Sequence, residues 1–119
     1  MNLIFVYGTL KRDASNHIQL AGQSFVQTAR TAPGYRLFNL GSFPAMVAHA
    51  SDLEGVEGEI WSVDDACLRR LDIFEGVPEG LYTRSAVRLL APITDSVVEA
   101  YIYPHSVLGR TEIGSVWRQ

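Results

Sequence analysis

A carboxylate at the end of a helical apolar pattern is the first group in this sequence that could do chemistry. Residues 64–75 carry apolar side chains at helical spacing, and Glu75 follows Leu68 by seven positions and Leu71 by four. At about 100° per residue, its side chain points toward the apolar side of the helix. Partial burial and the negative end of the helix dipole both raise the pKa of a carboxyl group there. Glu75 is therefore a candidate general acid/base; the alternative is a frayed helix end that simply reaches water.

The second candidate is the segment 7–10, Tyr-Gly-Thr-Leu, which directly follows a continuous apolar run. Gly8 leaves room for the backbone to turn, so that successive N–H groups can line a concavity that binds a carboxylate or a phosphate. Lys11 and Arg12 place positive charge close by. The segment is not a P-loop, because no second glycine precedes a Lys-Ser/Thr pair at the required spacing. The alternative is an ordinary strand-to-loop turn.

Other reactive side chains give weaker indications. The three histidines are scattered without carboxylates at ligand spacing, so no metal site is expected. Cys67 lies within the apolar arc of the helix and is predicted to be a small buried hydrophobic residue. Asp72 borders the same face, and we expect it to be solvated or bonded to Arg69. The aromatic and proline residues that could rim a pocket are Tyr82, Tyr101, Tyr103, Phe43 and Pro44.

Strand patterns dominate the elements that must position these residues. Strands are predicted over residues 3–7, 25–32, 35–40, 43–48, 56–63, 81–90 and 97–103, with turn residues between the last two. Two short helices are predicted, one from Asp13 or Ser15 to about Leu20 and one from a cap at Ser62 or Asp64 to Phe74 or Glu75. Residues 105–119 form a tail of weak periodicity. The order favours an α+β fold with a small, mostly antiparallel, curved sheet or β-barrel.

Composition limits the function classes. The 119 residues suit one domain, residues 1–119, and 47% hydrophobic against 19% charged residues excludes intrinsic disorder. A net charge of −3 with dispersed Lys and Arg argues against nucleic-acid or anionic-membrane partners. A single cysteine favours a reducing compartment, and no apolar run approaches the ~18 residues of a membrane span. We read the N-terminal run as a strand and expect a cytoplasmic monomer or weak dimer.

The two candidate features together resemble one known family. Residues 5–12 (Phe-Val-Tyr-Gly-Thr-Leu-Lys-Arg) and 16–17 (Asn-His) are similar to the opening of gamma-glutamylcyclotransferase-like proteins. Residues 56–61, 71–75 (Leu-Asp-Ile-Phe-Glu) and 81–84 resemble the same family in the same order. The likeness covers most of the chain up to residue 103, and in motif it is closest to the gamma-glutamylamine cyclotransferases. Asp13 departs from the pattern, because a glycine is common there.

The resemblance implies a small barrel-like sheet with helices packed outside, and a cyclotransferase that converts a gamma-glutamyl amine or amino acid to 5-oxoproline with release of the free amine. It implies Glu75 as the general acid/base and no metal or organic cofactor. Predicted substrate-binding residues are Tyr7, Gly8, Thr9, Leu10 and Tyr82. A non-catalytic domain of the same fold that binds a small carboxylate is the alternative. A structural or partner-binding domain would be favoured if side chains fill the concavity.

Overall fold

The computed structural model describes residues 2–90 and 96–118. These residues contain eight strands, one α-helix and one 3-10 turn. In chain order they are β1 (Asn2–Val6), the 3-10 turn (His17–Leu20), β2 (Ser24–Arg30), β3 (Tyr35–Asn39), β4 (Pro44–Ala48), β5 (Glu57–Val63), α1 (Asp65–Phe74), β6 (Thr83–Ala86), β7 (Val98–Ile102) and β8 (Thr111–Gly114). A five-stranded sheet has the order β2-β5-β1-β7-β6, and a three-stranded sheet has the order β4-β3-β8. Paired strands are antiparallel except β1 and β7, which are parallel. The α+β class with mostly antiparallel sheets is confirmed, although the described strands form two open sheets and not one closed barrel.

The central strand β1 is apolar from Leu3 to Val6 because both of its faces are covered there. Successive side chains of a strand point to opposite faces. Ile4 and Val6 belong to a core that includes Leu71 of α1, whereas Phe5 and Tyr7 belong to a second core shared with the three-stranded sheet. The strand therefore ends between two packed cores, and the segment that follows it is held in place from both sides.

Helix α1 begins at a capped residue. Asp64 precedes the helix with extended backbone, and its side chain accepts a hydrogen bond from the backbone N–H of Cys67 at 2.7 Å. Of the two predicted caps, Asp64 is thus the one used. Cys67 and Leu71 are fully buried against the five-stranded sheet, as their spacing predicts. None of the helices in the described residues has the length and apolarity needed to cross a membrane.

The first predicted helix is wrong in type and extent, since only a 3-10 turn at His17–Leu20 forms. Asp13 has a φ of +67°, in the left-handed region, and an α-helix cannot pass through that conformation. The chain turns instead through hydrogen bonds of short sequence separation, such as Ala14 N–H to the Lys11 carbonyl. The left-handed backbone also explains why glycine suits this position.

Two further segments differ from the expectation. The predicted strand 81–90 shortens to β6, because the N–H of Leu81 bonds the Gly76 carbonyl at the helix end and the N–H of Leu90 bonds Arg30 on the other side of the fold. Part of the predicted turn that follows, residues 91–95, lies outside the described residues. The tail of weak periodicity, residues 105–119, contains β8, a short half-exposed strand that pairs with β3 across a register shift.

Candidate active site

Glu75 is held by the structure that ends α1. The N–H of Val77 bonds the carbonyl of Asp72, and the N–H of Gly76 bonds the carbonyl of Ile73. Gly76 has a φ of +68°, which completes a Schellman motif. This motif fixes the backbone on both sides of Glu75, whose own N–H still bonds the helix through Leu71. The carboxylate is therefore presented from a rigid helix end and not from a frayed one.

The environment of the Glu75 side chain is poor in water and in polar partners. The residue is half-buried, and burial of the carboxyl raises its pKa from the ordinary 4.5 to about 7. Within residues 2–90 and 96–118, no group donates a hydrogen bond to the carboxylate. The phenols of Tyr7, Tyr82 and Tyr101 are close enough for the Glu75 charge to raise their pKa values beyond what their own burial does. A carboxyl with a pKa near neutrality can both take up and release a proton at physiological pH.

The segment 7–10 turns directly against the start of β4. A Cβ atom on Gly8 would lie 2.6 Å from Cγ of Pro44, so only glycine allows this approach. No acceptor in the described part of the chain takes the N–H groups of Gly8, Thr9 or Leu10, whereas the Thr9 carbonyl is bonded by the N–H of Asn16. Thr9 and Leu10 are themselves largely buried. The loop is thus anchored through its carbonyls and side chains while three backbone donors stay free.

Glu75 and the 7–10 loop line one cavity of about 240 Å³. The two features that the sequence singled out, some 65 positions apart, are therefore brought together. Glu75 is the only carboxylic acid among the lining residues that the structure describes, and none of those residues is Lys, Arg or His. The lining comprises Phe5, Val6, Tyr7, Gly8, Thr9, Leu10, Ser15, Asn16, Ser42, Phe43, Pro44, Phe74, Glu75, Leu81, Tyr82 and Tyr101. The concavity is open and not filled by side chains.

The tyrosines of the cavity use their hydroxyls to hold the wall together. Tyr7 donates to the carbonyl of Tyr101 at 2.5 Å, and Tyr82 donates to the carbonyl of Pro44 at 2.8 Å. Burial raises the pKa of both phenols, so they remain protonated at neutral pH. Tyr82 therefore offers a ligand its ring and a lone pair, and Tyr7 offers mainly its ring.

Lys11 and Arg12 do not supply charge to the cavity, contrary to the expectation from their position in sequence. The Lys11 ammonium donates to the carbonyl of Trp117 at 2.8 Å. Arg12 pairs with the buried Glu59 at 3.0 Å and stacks on the ring of Phe25 at 3.8 Å. Burial opposes ionisation of Glu59, but hydrogen bonds from Arg12 and from the indole of Trp61 hold its pKa below its usual range. Both cations are structural.

Several lining residues carry no recognisable signal in the sequence. Ser15 and Asn16 come from the irregular chain before the 3-10 turn, and Ser42 comes from the β3–β4 connection. Phe74 and Leu81 sit at the mouth with 41% and 39% of their surfaces exposed. Of the five residues that the sequence suggests for the rim, Phe43, Pro44, Tyr82 and Tyr101 line the cavity and Tyr103 does not. The polar lining residues are of types common in loops, so only the three-dimensional pairing of strands identifies them.

Two predictions about other polar residues can be compared with the structure. Cys67 is a free, buried thiol, as predicted. The prediction that Asp72 is solvated or bonded to Arg69 is wrong. The Asp72 carboxylate instead accepts hydrogen bonds from Arg84 and Tyr101. Within the described ranges no three His, Cys, Asp or Glu side chains lie close enough together to hold a metal ion.

Gly8→Ala is expected to destabilise the protein by about 1–3 kcal/mol, because the new methyl group overlaps the Pro44 ring. The second variant, Gly8→Ala with Pro44→Ala, removes the overlapping ring atoms and should recover part of the loss. Urea unfolding of the parent, both single variants and the double variant gives the coupling free energy. If Gly8→Ala costs the same with and without the proline ring, the contact does not explain the glycine.

Comparison with known proteins relates the whole chain to one family. Residues 4–118 match the family described as "Gamma-glutamyl cyclotransferase, AIG2-like". The chain is 38% identical over 96 residues to the gamma-glutamylaminecyclotransferase of Homo sapiens, an alignment that covers 75% of this chain and 62% of the human protein. It is 38% identical over 112 residues to gamma-glutamylaminecyclotransferase A of Danio rerio, covering 87% of this chain and 68% of the relative.

The fold is shared with solved structures of similar proteins. An AIG2-like protein from Mus musculus superposes with a TM-score of 0.77 and 29% identity, covering 97% of this chain and 87% of that one. This chain spans only part of the length of the curated relatives that it matches. Its alignments cover 64%, 62% and 50% of three such relatives, from Vibrio cholerae, Homo sapiens and Danio rerio.

Proposed function

Because the chain belongs to the gamma-glutamyl cyclotransferase, AIG2-like family, we propose that it is an enzyme that cyclises the gamma-glutamyl group of a gamma-glutamyl amine or amino acid. The products are 5-oxoproline and the free amine. One observation carries the proposal: a carboxyl group of raised pKa and three residues whose backbone N–H groups bond no acceptor in the described chain line the same cavity. A non-catalytic carboxylate-binding domain would have little use for the carboxylate.

The charges of the substrate fit the charges of the cavity. A gamma-glutamyl compound carries an α-ammonium, an α-carboxylate and a γ-amide. No basic side chain is among the described lining residues, and the N–H groups of Gly8, Thr9 and Leu10, which bond no acceptor there, are donors available to an anion. Glu75 is the matching acceptor for the ammonium. This arrangement supports binding of the glutamyl half with both of its charged groups paired.

The reaction moves protons from the attacking nitrogen to the leaving nitrogen. The α-ammonium loses one proton to Glu75, and the resulting neutral amine attacks the γ-carbonyl carbon to close a five-membered ring. The γ-carbonyl oxygen gains negative charge, which backbone N–H groups of the 7–10 loop stabilise. As the carbonyl re-forms, the γ C–N bond breaks and Glu75 gives its proton to the leaving nitrogen. The ring nitrogen then loses its second proton, which the released amine takes up, so that the lactam nitrogen is neutral and the amine leaves as an ammonium ion. No water is consumed, and the cavity contributes by holding the folded-over conformer.

The leaving amine is placed at the mouth of the cavity in this proposal. Phe74 and Leu81 are partly exposed there, next to the Glu75 carboxyl that returns the proton. Apolar surface at the mouth accommodates the hydrocarbon part of an amine, and the polar remainder of the substrate can stay in water. The proposal further includes residues 1–119 as one domain, action as a cytoplasmic monomer or weak dimer, and no cofactor.

A panel of gamma-glutamyl amines and gamma-glutamyl amino acids tests the activity directly. The protein is incubated with each compound, and both 5-oxoproline and the free amine are quantified. Equal amounts of the two products from at least one compound are expected. Spontaneous cyclisation is measured in parallel without protein. If no compound yields 5-oxoproline above that background, the carboxylate-binding domain replaces the enzyme as the best interpretation.

The kcat/KM of the reaction is expected to rise with pH through about 7, because Glu75 must be ionised to take the first proton. Below that pH the carboxyl is protonated and cannot act as the base. Rates measured from pH 5 to pH 9 with a fixed substrate give the profile. A rate that falls through pH 7 would mean that protonated Glu75 acts first, as an acid, and would reverse the proposed order of proton transfers.

A further inference from the structure

A hydrogen-bonded group of side chains lies behind the cavity wall and has no place in the mechanism above. Arg84 donates from Nε to Asp72 Oδ1 at 2.8 Å and from Nη2 to Asp72 Oδ2 at 3.1 Å. Its Nη1 donates to Glu99 at 2.6 Å, and the Tyr101 hydroxyl donates to Asp72 Oδ1 at 2.7 Å. The group therefore links α1, β6 and β7 through one guanidinium.

The pair of Arg84 with Asp72 differs from an ordinary surface ion pair. Both side chains are only about a quarter exposed, at 26% and 23%, and the contact is bidentate. Bidentate pairs of Arg with a carboxylate fix relative orientation as well as distance. Such a contact can hold a helix end against a sheet with defined geometry, which a single flexible ion pair does not do.

Asp72 helps to form the helix end from which Glu75 is presented. Its backbone carbonyl accepts the N–H of Val77 and so closes the Schellman motif that presents Glu75. Its side chain lies one turn before Glu75 on the same helix, a spacing at which side chains are neighbours. Its partner Tyr101 lines the cavity together with Glu75. Movement of Asp72 therefore displaces both the presenting backbone and one wall of the cavity.

We propose that Arg84 is a positioning residue for Glu75. Through its bidentate contact with Asp72, here called the fork, Arg84 fixes the end of α1 against β6 and β7 and neutralises the charge of the Asp72 carboxylate. This inference rests on the proposed cyclotransferase activity, although its claim about the pKa of Glu75 can be tested without a substrate. Arg84 itself does not line the cavity, so it acts through Asp72 and not on the substrate.

The charge around Glu75 is set by few groups. The phenols of Tyr7, Tyr82 and Tyr101 face it from the chain just after β1, from the chain before β6, and from β7, and burial keeps them protonated at neutral pH. The segments 15–16 and 42–44 contribute uncharged side chains to the wall. The Asp72 carboxylate is thus the nearby charge that could disturb Glu75. Without its guanidinium partner, it would disfavour ionisation of Glu75.

Three variants separate geometry from charge. Arg84→Met removes both the fork and the positive charge, and Arg84→Lys keeps the charge without the fork. Glu99→Gln is the matched control, because it breaks the other ion pair of the same guanidinium and leaves Asp72 and Tyr101 bonded. Each protein is studied by 5-oxoproline kinetics, by thermal unfolding, and by NMR titration of the Glu75 side-chain carbon, which requires no substrate.

Arg84→Met is expected to lower kcat about ten- to a hundredfold with little change in KM, as misplaced catalytic groups do. The pKa of Glu75 should rise by roughly 0.5–1 in this variant. Arg84→Lys should keep the pKa of Glu75 near that of the parent yet recover little of the lost kcat. Glu99→Gln should leave both kcat and the pKa unchanged. If Arg84→Met does not fold, Asp72→Asn takes its place for the kinetics, with the same loss of kcat expected.

The outcomes distinguish this proposal from the activity on which it rests. Absence of 5-oxoproline from the parent would refute the cyclotransferase, while the NMR titration would still decide whether Arg84 controls Glu75. An unchanged Glu75 pKa in Arg84→Met overturns the proposal. So does a lower melting temperature with unchanged kcat, since that would show a purely structural role. Equal losses of kcat in Arg84→Met and Glu99→Gln would likewise overturn it.

Discussion

Glu75→Gln is expected to lower 5-oxoproline formation by about 10²- to 10⁴-fold, the contribution typical of general acid–base catalysis. The same variant is expected to unfold less readily than the parent at pH 7 and above. Glutamine preserves the shape of the side chain and its capacity for hydrogen bonds, but it cannot exchange a proton with the substrate. Loss of activity together with a gain in stability is the signature of a residue selected for chemistry.

The sign of the stability change follows from the pKa of Glu75. In the folded protein burial raises this pKa to about 7, whereas in the unfolded chain it returns to its ordinary 4.5. Between these values the native state binds more protons, so the free energy of unfolding of the parent falls as pH rises from about 4.5 through about 7. It levels off at higher pH. Each pKa difference of one corresponds to about 1.4 kcal/mol, so Glu75→Gln should gain roughly 1–3 kcal/mol at pH 8 and nothing near pH 4.

Urea unfolding of parent and variant from pH 4 to pH 8 measures this difference. Glu79→Gln is the matched control, because Glu79 is exposed four residues further along the chain and lies outside the cavity. It should leave the activity unchanged and should not reproduce the gain in stability at pH 8. A Glu75→Gln protein that is less stable than the parent at pH 8 but equal to it at pH 4 would contradict the prediction. It would mean that ionised Glu75 stabilises the fold, and its role as acid/base would lose its physical basis.

Local patterns in the sequence predict the elements that build the site. The apolar run 3–7 indicates a strand covered on both faces, and the structure explains this by a core on each side of β1. The spacing of Leu68, Leu71 and Glu75 places the carboxylate beside the buried stripe of α1, and Gly76 ends the helix directly after it. These predictions succeed because each depends only on residues that are close together in the sequence.

Long-range pairings are what the sequence does not reveal. The Asp72 carboxylate bonds Arg84, twelve positions away, in preference to Arg69 on its own helix, because β6 brings the guanidinium to the helix end. Lys11 is drawn to the carbonyl of Trp117, 106 positions away. Both partners depend on how the sheets are assembled, and a charged residue carries no periodic signal that specifies its partner. The same limitation hides the contribution of Ser42 to the cavity wall.

Thr9→Pro is expected to reduce kcat/KM by about 10²- to 10³-fold, the loss seen when one donor that stabilises a developing oxyanion is removed. Proline deletes the N–H of residue 9 and fixes its φ. That N–H bonds no acceptor within the described residues, so the fold loses no hydrogen bond. Gly8 precedes it and tolerates the restriction that a proline places on its neighbour. The loss should therefore appear in the reaction and not in the stability of the protein.

Thr9→Ala provides the comparison, because alanine keeps the backbone N–H and removes only the hydroxyl and methyl groups. It should retain kcat/KM within about fivefold, a difference of roughly 1 kcal/mol. Both variants are compared with the parent by 5-oxoproline kinetics and by thermal unfolding, which verifies that each is folded. Equal losses in two folded variants would identify the Thr9 side chain, and not the backbone N–H, as the group that binds the substrate. The same result would mean that the Thr9 hydroxyl, with the N–H groups of Gly8 and Leu10 beside it, binds the anion of the substrate, since no basic side chain is among the described residues that line this cavity.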